Sequence, residues 1–278
     1  MRLLLSPGRA AHLPTLSTRC TISADASLVT LLAPEAWLAP INPETAPWLR
    51  SLVWWDFRAA VAFFVVAPLV LLGWSVARCR PLALGGDATR DPAAETALRM
   101  LTSYWQASAL LLLTIGFDIQ QSPICFVTGL AAQAMILVSM WWWSDLNEEM
   151  ESANPSALRS SVLAWRALAT VAAAGGVLVQ LPFQPCTLAP APFADASCGA
   201  WLEPPQFAAG LVGLSASPTL ATLSQFFLCL YVAVLAYYGA VLLPQVGRRG
   251  RAPRPALMQA SPIGAWRLLG FIGEQDPE

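Results

Sequence analysis

The run WWWSDLNEEMES, residues 141–152, sets three tryptophans against four carboxylates, Asp145, Glu148, Glu149 and Glu151. Asp145, Glu148 and Glu149 are spaced i, i+3 and i+4, so a helix carries them on one face. Arg159 and Arg166 follow. Three kinds of chemistry are open to this group: an ion-pair cluster, a solvated acidic tip beside a snorkelling arginine, or a carboxylate metal site for which no other ligands can be placed. A second pair is Cys186 and Cys198, in a stretch without arginine. A disulfide there would contribute about 3 kcal/mol in the chain-entropy account; two separate thiols are the alternative. Asp118, followed by Gln120 and Gln121, is expected to be a surface group that ends a helix.

Other chemistry is excluded by what the chain lacks. Its single histidine, His12, lies in the N-terminal tail. Bis-histidine haem ligation, a histidine zinc site and a Ser-His-Asp triad each need histidine at the site. No Walker loop, GxGxxG or CxxC is present. No cofactor, resident metal or catalytic residue is expected, and the chain is read as no enzyme. All 16 basic residues are arginine and the net charge is −1, so no broad positive field exists to hold nucleic acid.

The elements that must position these residues are membrane spans. Hydrophobic residues make up 56% of the chain and charged ones 12%, against about 25% charged in soluble domains. Five stretches approach the roughly 20 apolar residues a span needs: 59–77, 100–117, 124–143, 162–181 and 226–243. Segments of this length fit helices rather than barrel strands. The expected fold is therefore an all-α polytopic membrane helix bundle of about five transmembrane helices, with a proline-rich outer loop. Residues 51–247 form its membrane domain. Residues 1–50 are expected to be a poorly ordered tail, with a faint transit-peptide character over its first 25. Residues 248–278 form a C-terminal tail suited to the membrane surface. Pro68 should kink the first span, provided that neighbours satisfy the freed carbonyl.

Arginine placement sets the orientation. Arg78, Arg80, Arg90, Arg99, Arg159, Arg248, Arg249, Arg251 and Arg254 fall on one side. That side, with the C-terminus, is read as cytoplasmic or stromal. The loop 182–225, with Cys186 and Cys198, falls on the other. Within it WLEPPQF offers Trp201, Glu203, Pro204 and Pro205 as an outer-loop docking surface or membrane-dipping segment. Arg50 and the tail arginines oppose this orientation, and Arg58 is expected to be partly neutralised by Asp56. Trp54, Trp55, Tyr104, Trp105, Trp141, Trp142, Trp143, Trp165, Tyr237 and Tyr238 are expected to form interfacial belts. The third span is expected to run unbroken from Ile124 to Ala153, about 45 Å, and to be stopped by Asn154-Pro155. Arg166 on the next helix would then meet Asp145, pinning the base of the hairpin.

Three stretches resemble a family of integral membrane proteins of cyanobacteria and related plastids, known as a domain of unknown function. They are SLVWWDFRAAVAFFVVAPLVLL (51–72), WWWSDLNEEM (141–150) and the Cys186, Cys198 and WLEPP (201–205) pattern. The resemblance covers about residues 50–250. It implies a photosynthetic host and a thylakoid or plasma membrane, and brings no catalytic residues. The expected role is a structural or assembly factor that binds other membrane proteins. A small-solute or ion transporter is the alternative, with Gln106, Thr128, Gln133 and Gln225 as its polar groups; a membrane-embedded enzyme is the least supported.

Overall fold

The structure, a computed structural model, describes residues 38–83, 92–189, 191–237 and 240. Its first span is interrupted by its own proline. Helix α1 (Pro47–Ala60) passes through a π-helical segment, Val61–Val66, into α2 (Ala67–Ala83). Pro68 has no N–H for the carbonyl four residues back, that of Phe64. Within the π segment the Ala67 N–H bonds the carbonyl of Ala62, five residues back, so Phe63 also loses its usual donor. Both oxygens are satisfied from other helices. Tyr104 Oη donates to Phe64 O at 2.7 Å and Trp165 Nε1 to Phe63 O at 2.8 Å. The two rings meet edge to face at 5.0 Å.

The rest of the bundle is α3 (Pro92–Ile119), α4 (Ile124–Trp141), α5 (Ser144–Ser152), α6 (Ala157–Gln180) and α9 (Pro218–Tyr237), with two short helices, α7 (Ala196–Gly199) and α8 (Glu203–Leu211), before the last. Five helical stretches are long and apolar enough to cross a membrane: Pro47–Cys79, Pro92–Ile119, Ile124–Trp141, Ala157–Thr187 and Pro218–Tyr237. No strand occurs among the described residues. The all-α bundle expected from hydropathy is therefore present. Its core joins Phe64, Leu101, Ile136, Met150, Leu158 and Val162 with the fully buried small residues Ala94, Ala97, Ala169 and Ala173, which let backbones approach closely.

Several expectations are corrected. The third span does not run on to Ala153. It ends at Trp141, and Trp143 breaks it with φ −88° and ψ 86°. The break turns the Trp143 ring inward, where Nε1 donates to Ser103 Oγ at 2.7 Å. It also places Asp145 in the first turn of α5, where a carboxylate complements the helix dipole instead of opposing it. Trp54, Tyr104, Trp143 and Trp165 are buried and so are interior groups; Trp55, Trp141 and Trp142 keep the exposure of a belt.

The expected loop 182–225 is largely helical. Leu181–Thr187, Pro192–Ala194 and Ala200–Leu202 are 3-10 turns beside α7 and α8. Pro182, Pro192 and Pro204 stand in the first turns of Leu181–Thr187, Pro192–Ala194 and α8, where no N–H is needed; Pro185 lies inside its turn. The last span starts at Pro218, not 226. The tail joins the fold before residue 51: Ile41 N donates to Glu203 Oε1, Asn42 Nδ2 to Ala194 O and Thr45 Oγ1 to Ala196 O. His12, the transit-peptide-like residues 1–25, Arg90, Tyr238, the arginines at 248–254 and the C-terminal tail lie outside the described residues.

Candidate functional site

Chemistry-bearing side chains gather at both ends of the bundle. At one end the segment 181–211 folds over the helix tips. Cys186 and Cys198 are joined by a disulfide, with Cα atoms 6.1 Å apart, and pack on Phe117, Cys125 and Phe126. Asp195 caps α7. Its carboxylate accepts from the Ser197 hydroxyl, from Ser197 N at 2.8 Å and from Cys198 N at 3.3 Å. These donors, the Ser197 side chain foremost, hold its carboxyl below the usual range.

The WLEPP stretch is not an exposed docking surface. Glu203, Pro204 and Pro205 are buried and Trp201 half-buried. Glu203 anchors the segment to α1: Oε2 accepts from Arg50 Nε at 2.6 Å and Trp54 Nε1 at 3.2 Å, and Oε1 from Ile41 N at 2.9 Å. This pairing accounts for the arginine that opposed the inferred orientation. A buried carboxylate needs a partner, and Arg50 supplies one from 153 residues away.

Trp201, Pro204 and Pro205 also roof a cavity of about 90 Å³. Asp56, Asp118, Gln133, Gln180 and Thr114 contribute its polar lining, from α1, α3, α4 and α6. Asp118 is not a surface group: it is buried and shares the cavity wall with Cys125. The Arg58 guanidinium lies 5.8 Å and 5.5 Å from the Trp54 and Trp55 ring centroids.

The end of α3 that carries Asp118 is fixed by a two-bond cap. Ser122 N donates to Phe117 O and Gln121 N to Asp118 O, with Gln121 left-handed at φ 54°. Two glycines make room for the amides. A Cβ at Gly129 would fall 3.1 Å from Gln180 Oε1, and one at Gly176 would collide with the Gln133 amide.

The other end holds the acidic run. Arg166 does not pair with Asp145. Its Nη2 meets Glu151 Oε1 at 2.9 Å, its Nη1 donates to Asn147 Oδ1 at 2.6 Å, and its guanidinium lies 4.6 Å from the Trp141 ring centroid. The break at Trp143 rotates α5 away from the register of an unbroken helix, and Asn147 and Glu151, one turn apart, come round instead. Glu149 pairs with Arg99 at 2.9 Å. Arg159 Nε and Nη2 donate to the carbonyls of Met150 and Glu151, tying α5 to α6. Glu148 is exposed. No cluster of three or more acidic, histidine or cysteine side chains able to hold a metal occurs among the described residues.

A third feature lies on the bundle flank. Helix α9 rests mainly on α3, where Ser224, its buried residue, sits against Gly116 and accepts from Gln120 Nε2 at 3.0 Å. Between α9 and the α3–α4 pair is an apolar groove of about 760 Å³, bordered by Leu112, Val138, Trp142, Phe227, Leu230 and Val234.

Sequence reasoning found Asp118 and Gln133 but not their meeting with Asp56 and Gln180. An i, i+4 spacing of small residues in 167–176 signals close packing of α6. It does not reveal that the space left by Gly176 is filled by a glutamine. No curated protein matches the chain, and no solved structure does. The family described as a protein of unknown function (DUF3177) matches residues 50–251. With five helices able to cross a bilayer and a family match that reaches into each of them, this chain belongs to that family.

Proposed function

We propose that this protein is a structural or assembly factor that binds other membrane proteins, and that it has no catalytic site of its own. The carrying observation is α9. Phe226, Phe227, Leu230, Val232, Val234 and Tyr237 are all exposed along it, and the groove beside it has room for a partner's apolar side chains or for acyl chains. A span that buries only Ser224 fully against its bundle among the described residues is a natural gripping surface. The disulfide at one end and the arginines at the other support an orientation with the C-terminus cytoplasmic or stromal. A cyanobacterial or plastid host, with a thylakoid or plasma membrane and photosynthetic complexes as partners, is the extension suggested by the resemblance.

Site-directed cross-linking from α9 in the native membrane tests this reading. A photoreactive residue at Phe227 or Leu230 should give a discrete adduct with another membrane protein, while one at Val171 or Leu178, on exposed positions of α6, should not. Equal labelling of lipid from all four positions would count against it. The second reading, transport of a small solute or ion, is favoured by the cavity with Asp56 and Asp118 on its wall.

A further inference from the structure

We propose that the groove between α9 and the α3–α4 pair holds one glycerolipid, with an acyl chain along the groove and an ester carbonyl hydrogen-bonded to Gln106. The inference does not rest on the partner reading above: lipid in the groove leaves Phe226 and Val232, exposed on α9 away from it, open to another protein. The groove is a parting of two faces. Gly116, Leu113, Ala109 and Gln106 recur at three- and four-residue spacing on α3, as do Ser224, Phe227 and Tyr231 on α9, so each set forms one side of its helix. The two sides meet where Ser224 lies on Gly116 and accepts from Gln120. Beyond that point they separate, and the other five residues all border the open space of about 760 Å³, a volume in the range of ligand pockets.

Depth selects the occupant. Ser103 borders the groove and accepts from Trp143 Nε1, next to the exposed Trp141 and Trp142, rings that favour the edge of the hydrocarbon. From Ser103 to Leu113 the groove runs about 15 Å at 1.5 Å per residue, half of the roughly 30 Å of a bilayer core. It therefore spans one leaflet, open at the edge and closed near the midplane by the Gly116–Ser224 contact. An acyl chain of that leaflet has this length and direction. The second observation is Gln106. It lies about 5 Å deeper than Ser103, just inside the edge, where a glycerolipid carries its ester carbonyls. It is exposed to the groove, and its amide bonds no group among the described residues. An amide without a partner in hydrocarbon is costly. Its N–H groups call for an acceptor oxygen, which an ester supplies and a partner's apolar side chains do not.

The test is native mass spectrometry of the full chain, delipidated in mild detergent and then given a diester phosphatidylcholine or its diether analogue. The wild type should retain one diester lipid per chain. It should retain the diether, which has no carbonyl, about three- to tenfold less, the worth of one hydrogen bond. Gln106→Leu should hold the two lipids alike, at the diether level. Ala109→Trp, which sets a ring on the groove floor, should hold neither, and Leu178→Ala, at an exposed position of α6, should match the wild type. The comparison of the two lipids on the wild type needs no variant, and so stands if Ala109→Trp does not fold. Retention of no lipid by the wild type, equal retention of diester and diether by it, or undiminished retention by folded Ala109→Trp would overturn the proposal.

Discussion

At the scale of single residues, the buried polar groups carry the strongest consequences. Tyr104 and Trp165 each satisfy a carbonyl that the π segment and Pro68 leave open. Tyr104→Phe removes a hydroxyl and strands a buried acceptor, so it should lower stability by about 1–3 kcal/mol; unfolding of the purified protein in graded denaturing detergent measures this. Glu203→Ala removes the acceptor shared by Arg50 Nε, Trp54 Nε1 and Ile41 N, and should cost about 3–5 kcal/mol. Glu203→Gln, which keeps the shape and one acceptor, should cost less. If the two variants unfold alike, Glu203 is not the anchor described above. None of this was legible from the sequence around Glu203, because its partner is 153 residues distant and an acid beside two prolines reads as surface. Asp118 was misread for the same reason: exposure depends on what folds over the helix tip, and periodicity carries no record of that.

At the scale of elements, hydropathy located all five spans, since burial in lipid needs length and apolarity and both are local properties. That Pro68 disturbs the first span was equally legible, though not that the disturbance takes the form of a π segment. The break at Trp143 was not. WWWSDLNEEM contains no Pro or Gly to mark it, and the break is held by a tertiary contact, Trp143 with Ser103. The Asp145–Arg166 pairing followed from the assumption of continuity and failed with it. Arg166→Ala, which loses the bond to Asn147, the ion pair and the ring contact, should destabilise by about 2–3 kcal/mol. Glu151→Ala should cost under about 1 kcal/mol, because the glutamate side chain is 59% exposed. A thermal-unfolding series on the two variants and their double distinguishes these costs. At the other end of the bundle, Gln121 occupies a left-handed capping position that glycine adopts without steric cost. Gln121→Gly should therefore raise stability, by up to about 1 kcal/mol, in the same assay.

At the scale of the whole molecule, the disulfide end behaves as a lid that Glu203 binds to α1 and that the Cys186–Cys198 bridge and the Asp195 cap hold together from within. Because the Asp195 carboxyl is held below its ordinary range, its contribution is complete above about pH 4 and fades as pH falls through the lowered folded value. Asp195→Asn should lose less stability than the wild type across that acid window, as measured by Tm against pH. A wider consequence follows from the π segment. A π turn amounts to one extra residue in a helix, and each residue advances an α-helix by about 100°. Deleting Val65 would restore an unbroken helix and swing everything before it by about that angle. Asp56 would leave the cavity wall and Arg50 would leave Glu203, while the apolar length of the span hardly changed. The segment thus acts as a phase setting between the two halves of one transmembrane rod, and a frame of insertion that hydropathy cannot sense decides which side chains reach the interior.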